Sequence, residues 1–174
     1  MSTRSFIVVL AVLAVVGLLV FGLASKGSSR LEEGDAAPTA ALPLLDGGGS
    51  ESLADYRGRW VLVNFWASWC PPCRAETPAL EEFQQRHGGS RFTVLGIDTQ
   101  DLSDDAQAFV EKFGLSYPQL RDGNGDTADE YGTTGVPETF LVDPAGKIRL
   151  AVPGTVDEDY LREEVEPFLP KGKT

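Results

Sequence analysis

Two cysteines, Cys70 and Cys73, stand in the segment WCPPCR with two prolines between them, and the 174-residue chain has no others. A CxxC pair where a strand passes into a helix is typical of a redox centre. In such a centre one thiolate attacks a partner disulfide and the second cysteine resolves the mixed disulfide. We predict that Cys70 attacks and Cys73 resolves.

The predicted helix start favours Cys70 as the reactive thiol. Free backbone N–H groups and the helix dipole stabilise a thiolate at this position, so we expect Cys70 to be exposed and Cys73, one turn further on, to be shielded. Pro71 and Pro72 remove two of these N–H donors. Fewer donors should raise the pKa of Cys70 and make the reduced pair a better electron donor.

Three other uses of the cysteines are weaker. A structural disulfide across two residues would constrain the unfolded chain little. Zinc needs four ligands, and only His87 remains to help. Buried inert thiols rarely form a pair at a helix start. The segment DGNGD at 122–126 resembles a calcium loop, but Thr127 and Thr133 replace its glycine and glutamate, so we expect no metal.

The surrounding patterns predict an α/β fold. The elements in chain order are a hairpin from Ala40–Leu45 and Ser52–Tyr56, strand Trp60–Ala67, helix Pro71–Arg86, strand Arg91–Ile97, helix Ser103–Phe113, short strand Tyr117–Leu120, helical turns Asp126–Tyr131, strands Thr139–Val142 and Lys147–Val152, and helix Asp157–Leu169. The strand–helix–strand unit requires a parallel crossover, and the closing hairpin is antiparallel. The result is a mixed central sheet flanked by helices.

The N-terminus predicts a membrane segment. Phe6–Ala24 is nineteen residues without a charge, about 28 Å as a helix, enough to cross a bilayer. This length favours an uncleaved anchor over a cleaved signal peptide, although Gly22-Leu23-Ala24 would suit cleavage. No cysteine near residue 24 is available for a lipoprotein. We divide the chain into anchor 1–24, linker 25–37, domain 38–170 and tail 171–174, with the domain outside the cytoplasm.

The part after the predicted anchor is acidic. It holds all 26 Asp and Glu residues but, without Arg4, only 14 of the 15 Lys and Arg residues, a formal charge of −12. This charge argues against nucleic acid and against a surface that lies flat on anionic lipid.

The segments VNFWASWCPPCRAETP and YGTTGVPETFLVDPAGKI resemble the membrane-anchored thioredoxin-like proteins of the TlpA, ResA and CcmG group, over about residues 36–170. The resemblance implies a thioredoxin-like fold with an N-terminal β-hairpin and a central insertion. It implies an extracytoplasmic thiol-disulfide oxidoreductase, and several members of the group reduce apocytochrome c before haem attachment. The implied partners are disulfide-containing proteins and a membrane thiol-relay donor of the CcdA or DsbD kind. We expect a monomer with no cofactor beyond the redox-active disulfide.

The same resemblance suggests residue roles. Pro137 matches the cis-proline facing the disulfide, which leaves the Val136 backbone free to pair with substrate. Asn64 stands where thioredoxin has a buried aspartate, and Glu76 is placed to accept the proton of Cys73. The predicted catalytic residues are Cys70, Cys73, Glu76 and Pro137, and the predicted substrate-binding residues are Trp69, Pro71, Pro72, Val136 and Glu138.

Several functions stay open at this point. The main prediction is a disulfide reductase for apocytochrome c. Alternatives are a general extracytoplasmic reductase, a disulfide oxidase or isomerase, and a non-enzymatic module that binds apocytochrome or haem. A redox potential separates reductase from oxidase, and turnover separates an enzyme from a binding module.

Overall fold

The central strand is Trp60–Trp66, whose sequence WVLVNFW is buried from Val61 onward. A nearly continuous apolar run is what a strand covered on both faces requires. The computed structural model describes residues 12–18 and 30–170, and the elements below belong to that part of the chain.

The secondary structure follows the predicted order. The strands are β1 Ala41–Pro43, β2 Ser50–Ser52, β3 Trp60–Trp66, β4 Phe92–Thr99, β5 Gln119–Asp122, β6 Glu138–Val142 and β7 Ile148–Pro153. The helices are α1 Pro71–His87, α2 Ser103–Phe113, α3 Asp126–Tyr131 and α4 Glu158–Tyr160. The predicted strand at Tyr117–Leu120 begins two residues later, at Gln119, because Pro118 has no N–H to join the ladder.

Five strands form the central sheet in the order β5-β4-β3-β6-β7. β3, β4 and β5 are parallel, whereas β6 and β7 are antiparallel to their neighbours. The sheet is therefore mixed, as predicted. The parallel crossover through α1 brings the carboxyl ends of β3 and β4 together, with Trp66 opposite Asp98.

The N-terminal hairpin covers one edge of this sheet. β1 and β2 pair with each other, and Leu44 then bridges to Leu120 of β5. The prediction that Ser52–Tyr56 forms the second hairpin strand was wrong beyond Ser52. The Ser52 hydroxyl and the Asp55 carboxylate form a reciprocal capping box, which starts a 3-10 helix over Leu53–Tyr56.

A segment we call the strap, residues 30–37, runs along the domain ahead of the hairpin. Leu31 N–H donates to the Tyr131 carbonyl at 3.1 Å, and Gly34 N–H donates to the Ile148 carbonyl at 2.9 Å. Ala37 at the other end is buried. Residues 30–37 of the predicted linker are therefore bonded to the domain, and the division of the rest of the chain stays a prediction.

Two apolar cores lie on opposite faces of the sheet. One combines Phe65, Phe140 and Tyr131 with the hairpin and the strap. The other packs α1 and the C-terminal helical region against Leu62 and Leu141. A third cluster, around Trp66 and Phe109, joins α2 to the two cysteines.

The C-terminal region is helical but irregular. The continuous helix predicted over Asp157–Leu169 was wrong in its regularity, because α4 passes into a π-helical turn at Leu161–Val165 and a 3-10 turn at Glu166–Phe168. Pro167 has no N–H for a helical hydrogen bond, which accounts for the change near the end.

The predicted membrane anchor falls largely outside the described residues. Residues 12–18 are helical, and the rest of 1–24 is not described. Within residues 12–18 and 30–170, no helix is both long and apolar enough to cross a membrane.

Candidate redox site

The two cysteines form a disulfide at the start of α1. Cys70 is the N-cap residue, and its Sγ accepts the Cys73 N–H at 3.1 Å, while the two Cα atoms lie 5.3 Å apart. Pro71 and Pro72 fill the first two positions of the helix, where they contribute no N–H. In the first turn, the Cys73 N–H is therefore the amide that contacts the Cys70 sulfur.

Both cysteines are buried in this oxidised form. Cys70 is 2% exposed and Cys73 is 0% exposed, and the exposure of Cys70 as a reduced thiol stays a prediction. Trp69 in contrast is 58% exposed, and its indole N–H donates to the Gln100 carbonyl at 3.2 Å. Gln100 has a φ of 52°, a left-handed conformation unusual for a residue with a side chain.

The loop before Cys70 is held at one residue, Ser68, through both of its backbone polar groups. The Ser68 N–H donates to the Asp101 carboxylate, and the Ser68 carbonyl accepts from Arg74 Nε at 2.9 Å and Nη2 at 2.6 Å. Bonds to charged groups are stronger than neutral ones. The Asp101–Ser68–Arg74 arrangement, which we call the loop clamp, therefore fixes the backbone two residues before Cys70.

The buried carboxylate of Asp98 is linked to the loop clamp through Arg121. Asp98 is fully buried, with Arg121 Nη1 3.4 Å from its Oδ2, and Arg121 Nη2 also donates to the Asp101 carbonyl. Burial, and next the charge of Asp101, raise the pKa of Asp98 to about 7. The sequence reasoning missed Asp98, Asp101, Arg74 and Arg121. The signal was the run DTQD at the carboxyl end of β4, beside the carboxyl end of β3 that leads to Cys70.

Glu76 is buried on α1, one turn beyond Cys73, with 3% exposure. Its Oε1 accepts from Asn64 Nδ2 at 2.9 Å and its Oε2 accepts from the Val156 N–H at 3.0 Å. Burial outweighs these two hydrogen bonds and raises the pKa of Glu76 to about 7. Glu76 is thus a carboxyl that changes charge near neutral pH, which suits a group that takes up and releases a proton.

The peptide bond between Val136 and Pro137 is cis, as predicted. The Val136 carbonyl oxygen lies 3.6 Å from Cys70 Sγ, which places this loop against the disulfide. The disulfide sulfur has no hydrogen to donate, and among the described residues no hydrogen bond engages the Val136 N–H or carbonyl. Its backbone groups are therefore free for an added peptide strand.

Glu138 follows Pro137 and is also buried, with 1% exposure. Its carboxylate forms an ion pair with Arg30 and accepts the Thr134 N–H at 3.3 Å. Burial raises the pKa of Glu138, while the Thr134 hydrogen bond and the Arg30 charge act in the opposite direction. The side chain proposed to bind substrate therefore supports the loop from inside.

The two acids lie on opposite faces of the sheet. Thr139, which shares Asn64 with Glu76, points to one face. Glu138 precedes it in β6, and successive side chains of a strand alternate between faces. Only Glu76 belongs to the face on which α1 carries Cys73.

A cleft of about 210 Å³ opens beside the cysteines. Its lining consists of Trp69, Thr99, Gln100, Ala128, Asp129, Thr133, Thr134, Gly135 and Val136. The cleft brings together Trp69 and Val136, two of the residues predicted to bind substrate, and because of that prediction we call it the substrate groove. Pro71 and Pro72 are exposed at the helix start outside this lining.

A CxxC disulfide capping a helix, a buried acid one turn further on and a facing cis-proline, all on a mixed sheet, define a thioredoxin-like oxidoreductase. Comparison with known proteins agrees. Residues 34–151 match the AhpC/TSA family, and the chain belongs to this family.

Two relatives carry matching activities in their names. The thiol:disulfide interchange protein HelX of Rhodobacter capsulatus is 38% identical over 78% of this chain and 76% of that protein. The thiol-disulfide oxidoreductase ResA of Geobacillus thermodenitrificans is 29% identical over 94% of each chain.

Solved structures give the same fold. A putative thiol:disulfide interchange protein DsbE from Chlorobium tepidum superposes with a TM-score of 0.72 at 33% identity, covering 79% of this chain and 95% of that one. The thioredoxin domain of a thiol-disulfide oxidoreductase from Bacteroides vulgatus gives 0.71 at 33% identity, covering 81% and 100%. The protein is thus a thiol-disulfide oxidoreductase that uses Cys70 and Cys73.

Proposed function

We propose that this protein is a membrane-anchored disulfide reductase that acts outside the cytoplasm on the CxxCH disulfides of apocytochrome c. The observation that carries the direction of electron flow is the start of α1. One backbone N–H, that of Cys73, reaches the Cys70 sulfur, because Pro71 and Pro72 have none. A thiolate that accepts few hydrogen bonds is poorly stabilised, so the reduced pair readily donates electrons to a disulfide.

The proposed reaction is a two-electron thiol-disulfide exchange. The Cys70 thiolate attacks one sulfur of the client disulfide, and the other client sulfur leaves as a thiolate. Glu76, when ionised, takes the proton of Cys73. The Cys73 thiolate then attacks Cys70 Sγ, which forms the Cys70–Cys73 disulfide and releases the second client sulfur. A membrane dithiol donor of the CcdA or DsbD kind reduces the pair again, since no glutathione pool serves that compartment.

The position of the strap supports a membrane-facing site. Arg30, the first residue of the strap, pairs with Glu138 beside the cis-proline, at the redox end of the domain. An anchor ending at residue 24 would join the domain there across six residue steps, at most about 20 Å for an extended chain. A donor within the membrane would then lie close to Cys70.

The resemblance to the ResA and CcmG group supports apocytochrome c as the client. The groove adds a physical reason, because the unpaired Val136 backbone can receive an extended segment. A CxxCH motif in an unfolded chain offers such a segment.

The test is a trapping experiment in the native host with the full-length chain. A Cys73→Ala variant should accumulate mixed disulfides through Cys70 with CxxCH proteins and with the membrane donor, because nothing resolves them. The matched control is Cys70→Ala, which retains one thiol but lacks the attacking one and should trap neither. Cells without the protein should lose c-type cytochromes and regain them with added thiol reductant.

Trapping of proteins without haem motifs, with normal cytochrome levels, would replace this pathway by general disulfide reduction. The direction is tested separately by equilibrating the protein with glutathione. A potential well above the glutathione couple would make the protein an oxidant and refute the reductase proposal.

A further inference from the structure

We propose that Arg30 and Glu138 are positioning residues for polypeptide substrates. Arg30 forms an ion pair with the Glu138 carboxylate, and this carboxylate accepts the N–H of Thr134 in the wall of the substrate groove. The inference requires only the thiol-disulfide exchange activity, whichever client is correct. It assigns a role to the strap, which lies ahead of the hairpin and contributes no residue to the disulfide.

The Glu138 carboxylate is buried beside the groove. Its side chain is 2% exposed, and a carboxylate removed from water needs a charged or hydrogen-bonding partner to remain ionised. Within residues 30–170 its partners are the Arg30 guanidinium and the Thr134 N–H. Of these two, loss of Arg30 would leave the buried charge with the Thr134 amide.

Arg30 is held in position by the strap. Its side chain is 31% exposed, so the guanidinium is not held by burial alone. The next residue, Leu31, is hydrogen-bonded to Tyr131 and packs against the apolar core of that face. Gly34 and Asp35 bond to both polar groups of Ile148. The backbone of the strap therefore presents Arg30 to Glu138.

Glu138 contacts the lining of the groove through the Thr134 N–H. Thr134 lines the groove together with Val136, whose carbonyl lies beside Cys70 Sγ. If the hydrogen bond from the Thr134 N–H to Glu138 weakens, the wall of the groove formed by Thr134 and Val136 becomes less ordered. Cys70 itself is held separately, by the α1 N-terminus and by the loop clamp on Ser68. The Thr134 part of the lining can therefore shift while the backbone around Cys70 stays in place.

This separation predicts an effect that depends on substrate size. An extended peptide must pair with the loop, whereas a small disulfide reaches the sulfur without it. Arg30→Met should therefore raise the KM for an oxidised CxxC peptide about tenfold, the scale of one hydrogen bond to a charged group. The rate constant for hydroxyethyl disulfide should stay within about twofold.

The experiment compares full-length variants purified in detergent. Arg30→Lys keeps the charge and should restore most of the peptide affinity. Glu33→Gln is the matched control, because it removes the exposed ion pair of the strap with Arg149 and leaves Glu138 untouched. In a Glu138→Gln background, Arg30→Met should have little further effect, since both changes break the same pair.

Two results would overturn the assignment. An unchanged peptide KM in Arg30→Met, with Glu33→Gln as reference, would show that the pair does not shape the groove. An equal loss with hydroxyethyl disulfide would show a general structural defect. If Arg30→Met folds poorly, Glu138→Gln can serve as the variant that breaks the ion pair. Arg30→Lys then serves as the variant that keeps it.

Discussion

Replacing Glu76 with glutamine should uncouple the resolving step from pH while leaving the fold intact. In the structure, Oε1 and Oε2 of Glu76 accept from Asn64 and from the Val156 N–H. A glutamine oxygen can keep the Val156 bond. Rotation of the Asn64 amide then offers its oxygen to the glutamine N–H and to the Thr139 hydroxyl. The neutral side chain therefore satisfies the same partners.

The stability effect follows from the raised pKa. The pKa of Glu76 rises from an ordinary value of 4.5 to about 7, so the folded protein holds this proton more tightly than the unfolded chain. Below about pH 4.5 both states are protonated and the shift has no effect. Between about pH 4.5 and 7 the unfolded chain ionises first, and the native protein loses roughly 3 kcal/mol of stability. Glu76→Gln removes this loss.

The measurement is denaturant unfolding of the full-length wild type and variant at pH 4 and pH 8. The variant should gain roughly 3 kcal/mol on the wild type between these pH values. Glu82→Gln is the control, because Glu82 is an exposed residue of the same helix in an ion pair with Arg86. Other titrating groups are common to all three proteins and cancel.

The activity effect follows from the lost base. The resolving step, measured by stopped flow with a peptide disulfide, should slow about a hundredfold above pH 7 and lose its rise near pH 7. If the rate of the resolving step in Glu76→Gln and its pH profile matched those of the wild type, Glu76 would have only a structural role. An unchanged pH dependence of stability would refute the raised pKa.

Two further predictions concern Cys70. In the reduced protein, iodoacetamide at neutral pH should label Cys70 before Cys73, as peptide mapping can show, and preferential labelling of Cys73 would reverse the assigned roles. Arg74→Met removes both bonds to the Ser68 carbonyl and should cost about 1–2 kcal/mol and slow Cys70 labelling several-fold. Arg86→Met, on the exposed end of the same helix, should change neither, and equal effects would argue against the loop clamp.

Local patterns were enough to find the redox pair and most elements. The CxxC pair lies between an apolar strand and an amphipathic helix, so its position at a helix start follows from neighbouring residues alone. The alternation of strands and helices likewise predicted a mixed sheet. Three corrections to the elements follow from local effects: the Ser52–Asp55 capping box, the missing N–H of Pro118 at the start of β5, and Pro167 at the end of the last helix.

The partners of the buried acids depended on the tertiary fold. In sequence Glu76 looks like the exposed Glu82 of the same helix, and only the approach of Asn64 and Val156, 12 and 80 residues away, makes it a buried carboxyl. The same holds for Arg30 with Glu138 and for Asp101 with Ser68. A pKa depends on desolvation and on charges within a few ångströms, and these are set by how distant segments pack. The sequence by itself therefore determined which chemistry is present, and the tertiary structure decided which groups control it.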